Sequence, residues 1–226
     1  MSKSKKNGEC VYCGAIGIVT NDHVPPKCLF PPEKRLNLIT VKACQGCHDG
    51  FKLDDEYFRL ALSVRPDLPN KDTEQFLFVK TIRSLQDENA KGLRASVIAS
   101  VKQLSVMSPG GVYLGEAHSM RLDLKRLNAT AERIIVGLYS RFLKTRLPQT
   151  HVVKVHFTEF QKNSSAIETP VIKELVALLG KSELHNLGEG IVEIRFIGTD
   201  DDEHATMWFV RIVEAVSFFG FTYPSE

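Results

Sequence analysis

The 226-residue sequence lacks any long hydrophobic run, since no stretch approaches the about 18 consecutive apolar residues that a transmembrane helix needs. It also lacks internal repeats and low-complexity tracts. Its composition, 43% hydrophobic and 25% charged, excludes the disordered, collagenous and coiled-coil classes. We therefore expect an ordinary globular protein with a hydrophobic core and no membrane partner.

The first eight residues lack the apolar segment of a secretory signal peptide, which predicts a cytoplasmic location where thiols stay reduced. Cysteine is absent after residue 47, so all five cysteines fall in the first fifth of the chain. These residues are Cys10, Cys13, Cys28, Cys44 and Cys47. In a reducing compartment, clustered cysteines indicate a metal site or catalysis before they indicate disulfides.

The formal net charge is only +2, but it is unevenly distributed. Residues 1–52 contain eight Lys or Arg and four acidic residues, a net charge of +4, so the remaining residues sum to −2. A positively charged surface favours a polyanion, because each cation that meets a phosphate adds affinity by counterion release. The basic excess therefore points to the first quarter of the chain as the nucleic-acid contact.

Apolar spacing predicts an α+β fold. It predicts helices around residues 56–62, 78–85, 93–104, 123–146 and 172–179, and strands around 36–41, 153–157, 192–196 and 208–212. We expect three parts: a flexible basic arm over 1–9, a loop-rich module over 10–65, and a region over 66–226. This last region has a helical middle and then an α+β part with a mostly antiparallel sheet.

Two Cys-x-x-Cys pairs, Cys10/Cys13 and Cys44/Cys47, predict a structural zinc site. Four thiolates in two such pairs suit a closed tetrahedral site with Zn–S bonds of about 2.3 Å. We expect the second pair to lie at the start of a helix, whose N-terminal dipole favours thiolate. Cys44-x-x-Cys47-His48 also matches a haem attachment string, but that chemistry needs an exported chain and leaves the first pair unexplained. Cys28 is interpreted as a small buried hydrophobic residue.

Further motifs lie between and after these pairs. They are Asp22-His23-Val24-Pro25-Pro26, Asn37, and His48 directly after Cys47. With the cysteines they give the order Cys-x-x-Cys, Asp-His-x-x-Pro, Asn, Cys-x-x-Cys-His over about residues 10–60. In this order they resemble the HNH endonuclease family, whose ββα-metal site is built into a treble-clef zinc module.

The resemblance implies a metal-dependent endonuclease that hydrolyses DNA phosphodiesters, plausibly in bacterial defence or mobile-element biology. It makes His23 the general base, and Asp22 and His48 ligands of a catalytic cation. That cation would be Mg²⁺ or Mn²⁺, with Zn²⁺ or Ni²⁺ as alternatives. Asn37 would orient the loop that carries His23, although it stands further from Cys44 than in the usual family pattern. An imidazole with a pKa near 6.5 suits the deprotonation of water at neutral pH.

The partners that follow from these residues are DNA first, with RNA as an open alternative. Lys27, Lys42 and Lys52 are the candidate phosphate contacts in the basic module. Residues 66–226 could select the target, form a homodimer or contact another protein, and the sequence does not separate these roles. The alternative to a nuclease is a catalytically inactive treble-clef module that binds nucleic acid or a protein partner.

Overall fold

The computed structural model describes residues 6–65, 67–158 and 170–225. In this part of the chain the strands are β1 (Lys6–Glu9), β2 (Ile16–Val24), β3 (Ile39–Cys44), β4 (Val101–Met107), β5 (Tyr113–Met120), β6 (His151–Phe157), β7 (His185–Leu187), β8 (Val192–Gly198), β9 (Thr206–Ile212) and β10 (Val216–Pro224). The α-helices are α1 (Gln45–Ser63), α2 (Lys71–Gln86), α3 (Lys91–Ser100), α4 (Leu124–Leu143) and α5 (Pro170–Lys181).

The strands form three antiparallel sheets. The N-terminal sheet has the order β1-β2-β3, and β3 leads directly into α1. The C-terminal sheet has the order β6-β10-β9-β8-β7, and β4 pairs with β5 in a separate hairpin. The expected α+β class with a mostly antiparallel C-terminal sheet is confirmed.

Helix α4 joins the two larger sheets. Asp123 caps it by accepting hydrogen bonds from the amides of Lys125 and Arg126, as a short acidic side chain does at a helix start. The predicted apolar face is buried and packs against α1, β3 and β6. Gly137 lets the helix approach β2 closely, because a Cβ there would lie 2.6 Å from a methyl carbon of Val24. The hydrophobic core is therefore continuous from the N-terminal sheet to Trp208 in the C-terminal sheet.

The structure corrects two predictions in the first third of the chain. Of the supposed flexible arm, Lys6–Glu9 forms β1, because it pairs with β2 in register; residues 1–5 lie outside the described residues. Helix α1 begins at Gln45, not at the acidic segment near residue 56. Asp54 and Asp55, which lie within α1 just before residue 56, pair with Arg126 and Arg133 of α4.

Two further predictions concern helix ends. The helix expected over 93–104 stops at Ser100, and the chain continues as β4 because its backbone pairs with β5. Helix α4 ends at Leu143, where Lys144 takes a left-handed conformation (φ 61°), before Pro148 is reached. The helix expected around 172–179 is confirmed as α5. Among the described residues, no helix is both long enough and apolar enough to cross a bilayer.

Candidate metal centre

The first cysteine pair lies on a tight turn between β1 and β2. The amide of Cys10 donates to the carbonyl of Ala15 (2.9 Å), and the amide of Gly14 donates to the carbonyl of Cys10 (2.8 Å). Gly14 adopts φ +75°, a left-handed conformation that favours glycine. This turn places the two thiols on one side of the chain.

The second pair lies where β3 becomes α1. Cys44 ends the strand and precedes the helix, and Cys47 lies in the first helical turn. Amide groups near this junction are without helical partners, which favours a nearby thiolate. The predicted helix start at the second pair is confirmed.

The structure brings the four Sγ atoms of Cys10, Cys13, Cys44 and Cys47 within 4.8 Å of one another. The Sγ atoms of Cys13 and Cys44 are 3.7 Å apart. A tetrahedral zinc with bonds of about 2.3 Å has sulfur–sulfur edges of about 3.8 Å, so the cluster could bind a metal ion and is consistent with structural zinc. Cys28 lies apart and donates to the carbonyl of Asp55 (3.6 Å).

The pKa of the Cys10 thiol lies below its ordinary value. Burial raises its pKa, but hydrogen bonds from backbone amides, the first from Cys44, outweigh burial and bring the pKa to about 7. A thiolate is the form that binds zinc. Burial and side-chain hydrogen bonds to the other cysteines raise the pKa of Cys47. The residues present fit a structural zinc ion in geometry and in donor type.

Asp22 and His48 come together beside this cluster. Asp22 lies on β2 and is 7% exposed, and His48 follows Cys47 in α1. The Oδ1 atom of Asp22 is 4.0 Å from Nε2 of His48. Two ligands that share one cation through bonds of about 2.1 Å can lie up to about 4.2 Å apart. The two predicted ligands are thus placed where they can share an ion.

The second carboxylate oxygen of Asp22 is held from two sides. Its Oδ2 atom accepts a hydrogen bond from the hydroxyl of Tyr12 (2.8 Å) and one from Nη1 of Arg133 (3.2 Å). Burial, followed by the charge of Asp22, raises the pKa of Tyr12, so its hydroxyl keeps the proton that it donates. Oδ2 is therefore fixed by protein groups, and Oδ1 is the oxygen that faces His48.

Arg133 of α4 links Asp22 to a second carboxylate, that of Asp55 in α1. Its guanidinium also lies 4.4 Å from the ring centre of Phe51. Burial raises the pKa of Asp55 to about 7, against the lowering effect of Arg133 and with a further increase from Asp22. Asp22 and Arg133 are buried and Asp55 is half-buried; when both carboxylates are ionised, the three residues carry one net negative charge, which favours a nearby cation.

His23 follows Asp22 in β2 and is opposite Thr40 of β3. Successive side chains of a strand point to opposite faces of the sheet, so the half-buried His23 is directed to the face that also carries Lys42. The structure therefore places His23 next to Asp22 along the chain but directs the two side chains differently.

Asn37 lies in the turn before β3, is exposed, and has φ 59°. Asparagine is one of the few residues other than glycine that tolerates this left-handed conformation. The backbone of the turn thus gives a reason for the residue type that does not depend on His23.

The three predicted phosphate contacts are all exposed but differ in their surroundings. Lys27 lies in a short 3-10 turn after β2, and Lys42 lies on β3 opposite Asn21. Lys52 donates to Asp49 (2.5 Å), whose pKa is lowered first by this bond and then by one from Gln45. An exposed lysine paired with a carboxylate has less net charge to offer a phosphate.

Sequence reasoning missed Tyr12, Asp55 and Arg133 as parts of the site. Tyr12 lies within the first Cys-x-x-Cys pair, so its position beside the site could have been suspected. Arg133 is a charged residue in the buried stretch of α4, which is a signal for a buried ion pair. Its partner Asp22 is 111 residues away, and no local pattern reveals such a contact.

Comparisons of the chain with protein-family models, with curated proteins and with solved structures give no match.

Proposed function

We propose that this protein is a metal-dependent endonuclease of the HNH type that hydrolyses phosphodiester bonds of DNA. The observation that carries the proposal is the approach of Asp22 Oδ1 to His48 Nε2 at 4.0 Å. This approach occurs beside a four-cysteine cluster, as the resemblance of the ordered motifs requires. We interpret the cysteine turn, β2, β3 and α1 as a treble clef with a ββα-metal site.

In this proposal, Asp22 and His48 hold a catalytic divalent cation, Mg²⁺ or Mn²⁺, while the four cysteines hold structural zinc. When bound, the cation supplies Lewis-acid stabilisation of the charge that develops on the scissile phosphate and its leaving oxygen. Tyr12 and Arg133 hold Asp22 Oδ2 by hydrogen bonds. The carboxylate is therefore fixed in the orientation in which Oδ1 would bind the ion. Two protein ligands leave room for substrate and water.

The attacking water needs a base, and His23 is the residue that we assign to this role. Its neutral imidazole takes the proton of a water that lies in line with the leaving oxygen. Lys27 and Lys42 contact flanking phosphates, because both are exposed in the basic module. The regular strand directs His23 to the face opposite Asp22, so the assignment of His23 rests on the resemblance of the motifs, and a variant of His23 is the most severe test of this mechanism.

The test measures nicking of supercoiled plasmid DNA by the full chain in Mg²⁺ or Mn²⁺. We expect His23→Ala to reduce the rate at least about 100-fold, since a positioned base contributes that much or more. A chelator should abolish nicking. His156→Ala is the matched control, because His156 is exposed on β6 and belongs to no part of the proposed site.

Two outcomes would overturn the proposal. Nicking that survives His23→Ala would remove the assigned mechanism. Failure of the wild-type chain to cleave supercoiled DNA, linear DNA or RNA would remove the activity itself.

One observation favours a second function, a zinc module that binds nucleic acid or protein without cleaving it. Asp22 already pairs with Arg133 and Tyr12, so its charge is partly compensated without a cation. For this function we expect binding of DNA whose affinity falls with added salt, and no cleavage under any metal condition. Binding and cleavage assays on the same preparation separate the two functions.

A further inference from the structure

The hairpin of β4 and β5 is an apolar arm whose first strand is fully exposed and whose second strand is only partly covered by the described residues. We define the arm as residues 101–120, including the connection 108–112. Every residue of β4 is exposed, and the hairpin joins no larger sheet among the described residues. A two-stranded hairpin alone is at best marginally stable in water, so such an arm is usually stabilised by something that packs against it.

The arm carries large apolar side chains that are 38–64% exposed. They are Val101, Leu104, Val106, Met107, Val112, Tyr113 and Leu114. Alternate residues of a strand share a face, so within the regular part of the ladder Leu104 and Val106 lie on one face of the arm and Val101 lies on the other. Both faces of the arm therefore have apolar surface, which suits insertion between other elements better than stacking of one face on a flat surface.

The tip of the arm has a defined shape. The amide of Ser108 donates to the carbonyl of Val112 (2.8 Å), and the amide of Gly111 donates back to the carbonyl of Ser108 (2.9 Å). The Ser108 hydroxyl oxygen accepts a further bond from the amide of Val112 (3.0 Å). A preorganised tip loses little conformational entropy on binding.

An apolar groove begins at the base of the arm. It lies between α1, α2 and α3, has a volume of about 720 Å³, and includes Phe78, Ile82, Leu85, Val97 and Leu122 in its lining. Phe78 is 53% exposed at its mouth. We call it the arm groove. Because Val101 and Met120 of the arm also line it, the arm and the groove form one continuous apolar surface.

The exposed apolar area of the arm and the arm groove is large enough for a protein–protein interface. Nine large apolar residues, the seven of the arm with Phe78 and Ile82, are partly or largely exposed. At about 150–200 Å² per residue they leave about 700–900 Å² uncovered over the arm and the groove, whereas the largest apolar patch of a typical monomer is about 300–600 Å². Two such surfaces together exceed the about 1,000 Å² that a specific interface needs.

The charge of the arm is compatible with a second copy of this chain as the partner. Residues 98–120 contain one lysine, Lys102, and one glutamate, Glu116, so their formal net charge is zero. A two-fold dimer places the same patch of both copies together, and a neutral patch avoids like-charge repulsion there. A nucleic-acid contact would need a basic surface instead.

We propose that the arm and the arm groove form a reciprocal homodimer interface, in which the arm of each copy lies in the groove of the other. The occupant of the groove is thus a second copy of this chain. This arrangement covers both faces of the arm and closes with two-fold symmetry. It does not depend on whether the chain cleaves DNA.

The test is the mass of the full-length protein in solution, measured by light scattering and sedimentation over a range of concentrations. We expect wild-type protein at twice the chain mass of 25.3 kDa. Leu114→Asp on the arm and Phe78→Asp in the groove should each raise the dissociation constant at least about 100-fold, because an aspartate would be buried in an apolar contact. Both residues are exposed in the single chain, so the melting temperature of the monomer should be unchanged.

Leu36→Asp is the matched control, because Leu36 and Leu114 are both 64% exposed and Leu36 lies outside the arm and the groove. This variant should remain dimeric. A mixture of Leu114→Asp with Phe78→Lys should form a heterodimer, since one contact then pairs aspartate with lysine and the other is wild type. Absence of that heterodimer would overturn the arm-in-groove arrangement.

Two further results would overturn the proposal. One is a wild-type chain that stays monomeric up to about 100 µM, well above the range of stable interfaces; the surface would then serve a different partner. The other is a dimer that survives both aspartate variants, which would place the interface elsewhere.

Discussion

The Oδ1 atom of Asp22 lies 4.0 Å from Nε2 of His48, while the Oδ2 atom of the same carboxylate is bound by Tyr12 and Arg133. One oxygen of the carboxylate is thus held by hydrogen bonds within the protein. The other oxygen faces His48, the second proposed ligand of the cation. Because Arg133 comes from α4, the geometry of the candidate site depends on the packing of the central helix. The following predictions test the parts of this arrangement.

Arg133→Met should destabilise the protein by about 3–5 kcal/mol, because it leaves the carboxylates of Asp22 and Asp55 without the guanidinium that pairs with both. Arg126→Met is the matched control. Arg126 also pairs with an aspartate and also lies 4.4 Å from the centre of an aromatic ring, but its ion pair is more exposed. The control should cost about 0–1 kcal/mol. Equal losses in urea unfolding of the two variants would contradict the importance given to Arg133.

Tyr12→Phe should leave the fold intact and weaken the metal site. The phenylalanine keeps the edge contact with Phe51, whose ring centre lies 4.9 Å from that of Tyr12, but it cannot donate to Asp22. Loss of such a supporting hydrogen bond typically lowers metal affinity about 10–100-fold. The measurement is the Mn²⁺ concentration needed for half-maximal nicking. An unchanged midpoint would show that Tyr12 does not orient Asp22 for a cation.

The four-cysteine cluster should bind one zinc ion per chain, measured by elemental analysis of the purified protein. Cys47→Ser should lose most of this zinc and unfold at a lower temperature, because structural zinc contributes about 10 kcal/mol or more to folding in small zinc modules. Cys28→Ser is the control, since Cys28 lies outside the cluster, and it should retain the zinc. Zinc retained by Cys47→Ser, or lost from Cys28→Ser, would contradict the assigned ligands.

Cys28 should react slowly with thiol reagents at neutral pH. Burial raises the pKa of its thiol to about 11, with a further increase from Asp55, so the reactive thiolate forms only as the pH approaches that value. At pH 8 we expect alkylation of Cys28 to be about 100-fold slower in the folded chain than in urea, where the pKa is about 8.5. Mass spectrometry of the labelled peptides gives both rates. Equal rates would show that the thiol is not protected.

Much of the four-cysteine cluster could be predicted from the sequence, because its members form two short-range pairs. Each Cys-x-x-Cys pair lies on one turn, and Gly14 and the start of α1 give local reasons for its geometry. The approach of Asp22 to His48 could be predicted only from the order of the motifs. No local pattern indicates it, because strand β2 and helix α1 come together only through the fold.

The rest could not be predicted because the contacts are long-range. Arg133 contacts Asp22, which lies 111 residues earlier in the chain, and the sequence of α4 does not indicate which residue pairs with this buried arginine. Leu93, Val97, Val101 and Leu104 have helical spacing, yet after Ser100 the pairing with β5 determines the conformation of the chain. Tertiary pairing here overrides a local pattern, as it commonly does for short β-branched segments.

The most direct test of the shared cation is a crystal of the full chain soaked in Mn²⁺ and measured at the manganese absorption edge. We predict an anomalous peak bonded to both Asp22 Oδ1 and His48 Nε2 at about 2.0–2.2 Å, separate from the zinc among the four cysteines. Asp22 Oδ2 should keep its bonds to Tyr12 and Arg133. A fully occupied cysteine site with no peak between Asp22 and His48 would contradict the account.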